Sequence, residues 1–131
     1  MKPIAAALAL LLLATPAGAA PIDDARAAYA KGDYAQAFAA AQELAKAGDA
    51  RAMTLLGLMY RKGRGTAADT DTAITWFTGA GEKGEAEAQL ALGLIYLDEQ
   101  GGRFDYDKGA SWLRRAAEAG LAEAQFNMGL L

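Results

Sequence analysis

The sequence predicts an all-α fold, a solenoid built from helix-turn-helix repeats. Residues 49–84 and 85–120 align without a gap at a period of 36 residues, so that Leu56-Gly57-Leu58 matches Leu92-Gly93-Leu94. Within each copy, apolar residues recur at spacings of three and four, which is the period of an amphipathic helix. A fixed period of this size is typical of a repeat array, in which each unit packs on its neighbours.

The stretch before the repeats begins with a predicted export signal. Residues 1–19 contain one lysine, an apolar run and then a small-x-small sequence. This is the layout of a secretory signal peptide, and the run is too short for a spanning helix. We expect cleavage after Ala19, because cleavage after Ala20 would place Pro21 directly behind the scissile bond. The mature protein would then be periplasmic or secreted, with no transmembrane segment. A buried N-terminal helix is the alternative, but it does not explain the lysine or the small residues.

Residues 20–48 are rich in alanine and predict a shortened helical pair that opens the array. Asp23 or Asp24 is expected to cap its first helix and Asp33 its second. The two full units follow, and residues 121–131 repeat only the first helix of a unit. Gly57 recurs in these copies as Gly93 and Gly129. Since a mid-helix glycine costs about 1 kcal/mol relative to alanine, we expect the partner helix backbone to approach closely at this position.

Each full unit also carries a pair of aspartates before its second helix, Asp69 with Asp71 and Asp105 with Asp107. Carboxylate oxygens at this spacing are possible ligands for a divalent cation. Their recurrence at predicted helix starts favours a structural role, in which one aspartate caps the helix and the other interacts with its dipole. We therefore predict no metal site here.

The recurring residues resemble a known repeat family. The pattern A-x-A-x-x-x-L-G-x-x-Y, a glycine-rich loop, D-x-x-x-A, W-x-x-x-A and a closing glycine is similar to the Sel1-like repeat. The resemblance covers residues 49–120 fully, 121–131 in part and 21–48 loosely. It implies a right-handed superhelix of antiparallel helix pairs whose first helices line a concave surface. It also implies a scaffold that holds proteins or peptides rather than an enzyme.

The composition argues against catalysis, cofactors and nucleic acid. The chain has no histidine and no cysteine, which excludes a Ser-His-acid triad and metal sites of the His/Cys type. Cysteine-rich relatives linked to beta-lactam binding or hydrolysis are therefore a poor guide. Ser111, the only serine, lies three residues after Lys108, so a Ser-Lys hydrolase acting on a cell-wall or lactam substrate is the alternative. The net charge of −3 gives no electrostatic footprint for nucleic acid or anionic membranes.

The surface that differs most between the copies is predicted to bind the partner. It is the stripe of the first helices that is turned away from Leu56 and Tyr60, basic at one end and apolar to acidic at the other. A leucine-lined groove with charged rims suits an amphipathic peptide or helix. For Leu94 and Leu97, packing between units is an equal alternative. The stripe comprises Arg51, Thr54, Leu58, Arg61, Lys62, Glu87, Leu90, Leu94, Leu97, Asp98, Glu123 and Phe126.

The last residues carry a second interaction hypothesis. In a complete unit, Phe126, Met128, Leu130 and Leu131 would be covered by a following helix. We expect either self-association through these residues or a reading frame shortened from a longer array. The sequence as a whole predicts a non-catalytic scaffold for protein or peptide partners in the cell envelope. A structural subunit that folds only on its partner is a further alternative.

Overall fold

The computed structural model describes residues 21–131, which contain seven α-helices and no strand. The predicted all-α repeat solenoid is confirmed, whereas the predicted signal peptide lies outside the described residues. Within the described part, no helix has the length and apolar character needed to cross a membrane. The helices are α1 (Pro21–Ala30), α2 (Tyr34–Lys46), α3 (Ala50–Lys62), α4 (Thr70–Glu82), α5 (Ala86–Leu97), α6 (Tyr106–Glu118) and α7 (Ala122–Gly129).

The helices stack in chain order, and each packs against the next. The first helices of neighbouring pairs also touch, α1 with α3 and α3 with α5, whereas the second helices of neighbouring pairs make at most marginal contact. The first helices of the first three pairs therefore lie side by side along one side of the stack.

Three apolar clusters run along the stack and replace a single core. The first joins α1, α2 and α3, the second joins α4 and α5, and the third joins α5, α6 and α7. Trp76 on α4 packs against the first cluster and Trp112 on α6 against the second, so each tryptophan reaches back to an earlier part of the array. The two tryptophans thus hold successive units together. The largest fully buried side chains are Leu56, Met59, Phe77, Leu92 and Leu113.

Aspartate side chains cap α3, α4 and α6, and the sequence predicts this for α4 and α6. Asp49 accepts hydrogen bonds from the backbone N–H groups of Arg51 and Ala52 at 2.9 and 3.2 Å. Asp69 and Asp105 play the same part for α4 and α6, with N–H to oxygen distances of 3.1 and 3.0 Å. These bonds satisfy backbone donors that have no partner within the helix.

The expectation for the first helix was wrong. The helix α1 already includes Pro21, so Asp23 and Asp24 lie in its first turn rather than at its cap. Proline is favoured at the first helical position, because its fixed φ suits the helix and its missing N–H would have no partner there. Asp33 does occupy the cap position of α2, but its side chain makes no capping hydrogen bond.

The three glycines at this repeat position have different surroundings, and Gly129 is the last residue of α7 rather than a mid-helix residue. A Cβ on Gly57 would lie 2.5 Å from Cδ1 of Phe77, so a side chain rather than the predicted backbone fills the space. At Gly93 the prediction of close backbone approach holds, since a Cβ would lie 3.2 Å from the carbonyl oxygen of Gly109. At Gly129 no atom lies within 4 Å. The glycine at this repeat position therefore makes room for an aromatic ring between α3 and α4, and for the close approach of a helix backbone between α5 and α6.

The joints between units are alike. Each helix pair ends in a glycine with positive φ, a conformation that other residues adopt only with strain. The next N–H then returns to a carbonyl in the last turn of the preceding helix. The glycines are Gly48, Gly84 and Gly120 with φ of +93°, +96° and +96°, and the bonds are Asp49 to Leu44 (3.0 Å), Glu85 to Ala80 (3.1 Å) and Leu121 to Ala116 (3.2 Å).

Candidate partner-binding groove

The first helices of three successive pairs form a groove of about 500 Å³. It crosses α1 and α3 and ends at the start of α5, on the side where these helices contact one another. We call this cavity the α1–α3–α5 groove. It is lined by Arg26, Tyr29, Ala30, Arg51, Thr54, Leu55, Leu58, Glu85 and Glu87.

The helical period of α3 separates its core face from its groove face. Leu56 and Met59 are fully buried in the first cluster, whereas Thr54 and Leu58 are only half-buried and line the groove. Residues four apart on a helix share one face, so these two side chains lie one above the other. The Thr54 hydroxyl donates to the Ala50 carbonyl at 3.1 Å and is thus satisfied within its own helix. The α3 part of the groove therefore presents a leucine side chain and a hydroxyl that is already hydrogen-bonded.

The two ends of the groove carry opposite charges. Arg26 and Arg51 lie at the α1 and α3 end, and Glu85 and Glu87 lie at the start of α5. Arg51 contacts Asp23 at 3.3 Å, and its side chain is still 46% exposed. Among the described residues, the side chains of Arg26, Glu85 and Glu87 make no ion pair and no hydrogen bond. These charges are therefore open to a ligand.

Arg64 contacts Tyr29, the aromatic residue that α1 contributes to the groove. The Arg64 guanidinium donates a hydrogen bond of 2.9 Å to the Tyr29 hydroxyl. It also lies 5.7 Å from the ring centroid of Tyr29 and 5.3 Å from that of Tyr34. Each cation–π contact of this kind contributes about 0.5–1 kcal/mol at an exposed site. Tyr29 is thus fixed by the loop that follows α3, and it presents an ordered surface to the groove.

Four residues of the predicted stripe meet in this groove, namely Arg51, Thr54, Leu58 and Glu87. The contribution of α1 was not predicted from the repeats, because that helix lies outside the aligned copies. The sequence pattern that could have predicted this contribution is the spacing of Arg26, Tyr29 and Ala30. It places a charged and an aromatic residue on one face of α1. Leu55 and Glu85 were also missed.

The predicted leucines of α5 lie elsewhere. Leu90 is only 8% exposed, which corrects its place in the stripe, because it packs into the third cluster with Leu113 and Ala124. Leu94 and Leu97 are half-buried against the same cluster, so the alternative of packing applies to both. These three leucines therefore contribute to the core and do not line the groove.

The remaining stripe residues are dispersed. Arg61 and Asp98 line a separate cavity of about 120 Å³ at the C-terminal ends of α3 and α5. Lys62 is exposed at the end of α3, and Glu123 is exposed on α7. Phe126, also on α7, has 68% of its surface exposed. None of these five residues lines the α1–α3–α5 groove.

The two aspartates of the first full unit, Asp69 and Asp71, bind other residues of the protein. The Asp69 carboxylate accepts from the Thr72 hydroxyl at 2.7 Å and from the Thr72 N–H at 3.1 Å. The hydroxyl bond first, and the N–H bond second, lower the pKa of Asp69. Asp71 pairs with Arg103 at 2.7 Å. Over residues 21–131, no group of three or more acidic side chains is arranged to hold a metal ion.

Ser111 lies on the exposed surface of α6. Its candidate base, the Lys108 ammonium, lies 5.1 Å from the ring centroid of Tyr96. Ser111 makes no side-chain hydrogen bond with any described residue, and it is not among the residues that line either cavity. The geometry therefore does not favour a Ser-Lys hydrolase.

Comparison with known proteins identifies the repeat. The model of the Sel1 repeat matches residues 50–85 and 86–121, which is more than half of the chain. The chain belongs to the Sel1 repeat family. The Sel1 repeat fold is generally a scaffold for protein–protein interaction, and the family is typically non-catalytic. No match was found among curated proteins.

Two solved structures show the same Sel1 architecture. A Sel1 repeat protein from Oxalobacter formigenes is 31% identical over 87% of this chain and 45% of its own, with a TM-score of 0.79. The protein c5321, a protective antigen of uropathogenic Escherichia coli strains with the SLR fold, is 32% identical over 74% of this chain and 21% of its own, with a TM-score of 0.70. The chain thus spans less than half the length of either protein.

Proposed function

We propose that this Sel1 repeat protein is a non-catalytic scaffold of the cell envelope that binds a protein or peptide partner in the α1–α3–α5 groove. The observation that carries the proposal is the groove itself, which combines apolar side chains with arginines on α1 and α3 and glutamates at the start of α5. Its volume of about 500 Å³ lies within the range of about 300–1,000 Å³ that ligand sites usually have. Binding by a scaffold fold is consistent with the general role of Sel1 repeats.

The test of the groove is a bulky substitution with a matched control. Thr54→Arg would fill the groove, while arginine remains a good helix former. Thr75→Arg is the control, because Thr75 is exposed on α4 and its hydroxyl donates to a carbonyl four residues earlier, as that of Thr54 does. Both variants should keep the circular dichroism spectrum and the thermal midpoint of the wild type.

The readout is capture of partners from a cell-envelope extract by the immobilised full chain. We expect proteins that are retained by the wild type and by Thr75→Arg and that are lost with Thr54→Arg. Retention of the same set by a folded Thr54→Arg protein would show that the partner does not use this groove.

The cell-envelope location rests on the sequence of residues 1–19, with its lysine, apolar run and small residues. Fractionation of cells that express the chain with a C-terminal tag would test it. We expect a mature form that begins at Ala20 in the periplasm or the medium. An uncleaved chain confined to the cytoplasm would contradict the proposal.

A second interaction, self-association, is favoured by the apolar surface of the last residues. Phe126 is 68% and Leu131 is 50% exposed, while the equivalent residues of the preceding copy, Leu90 and Ile95, are 8% and 7% exposed. Leu130 is exposed as well, at 69%. Sedimentation velocity should detect a dimer that Leu130→Asp weakens. A monomer at every concentration tested would contradict self-association.

A further inference from the structure

We infer that the α1–α3–α5 groove selects a peptide segment that carries both an acidic and a basic side chain on either side of an apolar residue. This inference rests on the proposed function and specifies the chemistry of its partner. The acidic side chain would meet Arg26 and Arg51, and the basic side chain would meet Glu85 and Glu87. The segment is internal to a protein partner, so its charges come from side chains and not from chain ends.

The arginine end can receive a carboxylate without breaking the fold. Arg26 is exposed on α1 and pairs with no described residue. Arg51 uses one guanidinium nitrogen for a 3.3 Å contact with Asp23, which leaves further N–H donors available. The planar guanidinium group binds carboxylates with two parallel hydrogen bonds, which a lysine does not reproduce. Two arginines on adjacent helices therefore form a carboxylate-binding end.

The glutamate end is equally available. Glu85 occupies the cap position of α5, but its side chain makes no capping hydrogen bond, in contrast to the equivalent Asp49 of α3. Glu87 lies in the first turn, and its equivalent in the preceding copy is Arg51. Both Glu87 and Arg51 are exposed, so packing does not fix the sign of the charge at this repeat position. The reversal of charge between α3 and α5 thus gives the groove its polarity.

The same charges exclude other peptides. A segment with only acidic side chains would place one of them against Glu85 and Glu87, and a segment with only basic side chains would place one against Arg26 and Arg51. Like charges brought together at an interface oppose binding, and this repulsion produces specificity. The half-buried Leu58 on α3, which lines the same groove, offers a surface for an apolar side chain.

The test uses short fluorescent peptides of equal length with acetylated and amidated ends. Each peptide has a central leucine flanked by one acidic and one basic side chain, by two acidic, by two basic or by two neutral side chains. Fluorescence polarisation with the full chain at low salt should show about tenfold tighter binding of the mixed-charge peptide, the size expected for two partly exposed ion pairs. Added salt should reduce this preference, because it screens exposed charges.

Charge reversal makes the test specific. Arg26→Glu with Arg51→Glu should shift the preference to the peptide with two basic side chains, and Arg26→Glu alone should shift it part of the way. Glu85→Lys with Glu87→Lys should shift it to the peptide with two acidic side chains. Arg114→Glu, at an exposed position on α6 that does not line the groove, is the matched control and should leave the preference unchanged.

The outcomes separate this inference from the proposed function. Equal binding of all four peptides, unaffected by charge reversal but abolished by Thr54→Arg, would overturn the inference and leave the groove as the binding site. Peptide binding that Thr54→Arg does not weaken would overturn both. An absence of binding by every peptide would overturn the inference, while capture of a protein partner that depends on Thr54 would still uphold the proposed function.

Discussion

Replacement of Gly57 by alanine would test how α3 and α4 pack. The added Cβ would lie 2.5 Å from Cδ1, 2.6 Å from Cε1 and 2.9 Å from Cγ of Phe77. Phe77 is only 1% exposed, so its ring has little room to move. Overpacking of this kind costs about 1–3 kcal/mol, whereas alanine in place of glycine within a helix gains about 1 kcal/mol. We therefore expect Gly57→Ala to lower the free energy of unfolding by about 1 kcal/mol.

The chain offers both a control and a rescue for this change. Gly129→Ala affects the same repeat position, where no atom lies within 4 Å, and should not destabilise the protein. Phe77→Leu should relieve the clash in the Gly57→Ala background, because Leu113 occupies the equivalent position beside Gly93. We expect a coupling energy of at least about 0.5 kcal/mol between residues 57 and 77.

Urea unfolding followed by far-ultraviolet circular dichroism would measure the free energy of unfolding of the wild type, Gly57→Ala, Phe77→Leu and the double variant. If Gly57→Ala stabilises the chain by the about 1 kcal/mol that helix propensity alone supplies, the ring contact does not require the glycine. If the effects of the two substitutions add to within about 0.3 kcal/mol, the proposed contact between the two side chains is refuted.

Three further predictions concern the core, a surface pair and a helix cap. Leu113→Ala should lower the free energy of unfolding by about 2–5 kcal/mol, because Leu113 is fully buried, and a loss below about 1 kcal/mol in urea unfolding would contradict this. Arg103→Gln should cost less than about 1 kcal/mol in the same assay, since its partner Asp71 has a side chain that is 81% exposed. Folding lowers the pKa of Asp69, so the stability that this carboxylate contributes is present above its unfolded pKa and is lost as the pH falls through the folded pKa. Asp69→Asn should therefore flatten the acid side of a plot of thermal midpoint against pH, and an unchanged acid side would contradict the assignment.

The features of the fold that could be predicted are those with a local cause. The glycines that recur every 36 residues correctly indicated where helix pairs join. A glycine with positive φ ends a helix whatever surrounds it. The kind of contact at Gly57 was not predictable in the same way. Phe77 and Leu113 occupy one repeat position. Only the packed structure shows that the Phe77 ring fills the space at Gly57, whereas Leu113 Cβ and backbone atoms of α6 fill it at Gly93.

The groove was predicted where it depends on α3 and missed where it depends on neighbouring helices. Thr54 and Leu58 follow from the helical period alone. Leu90 follows the same period, but Ala124 of α7 and Leu113 of α6 share its cluster and bury it, which no local pattern reveals. Arg26 was missed because α1 belongs to a shortened pair that does not align with the repeats.

The uniform joints at Gly48, Gly84 and Gly120 have a consequence for how such chains change in evolution. A duplication or loss of one whole unit between two of these glycines would leave every remaining joint with the same φ and the same hydrogen bond. A change of any other length would disturb the register of a joint. Recombination can therefore alter the length of the array, and with it the extent of the surface that the first helices form, without the need for a new way to connect helices.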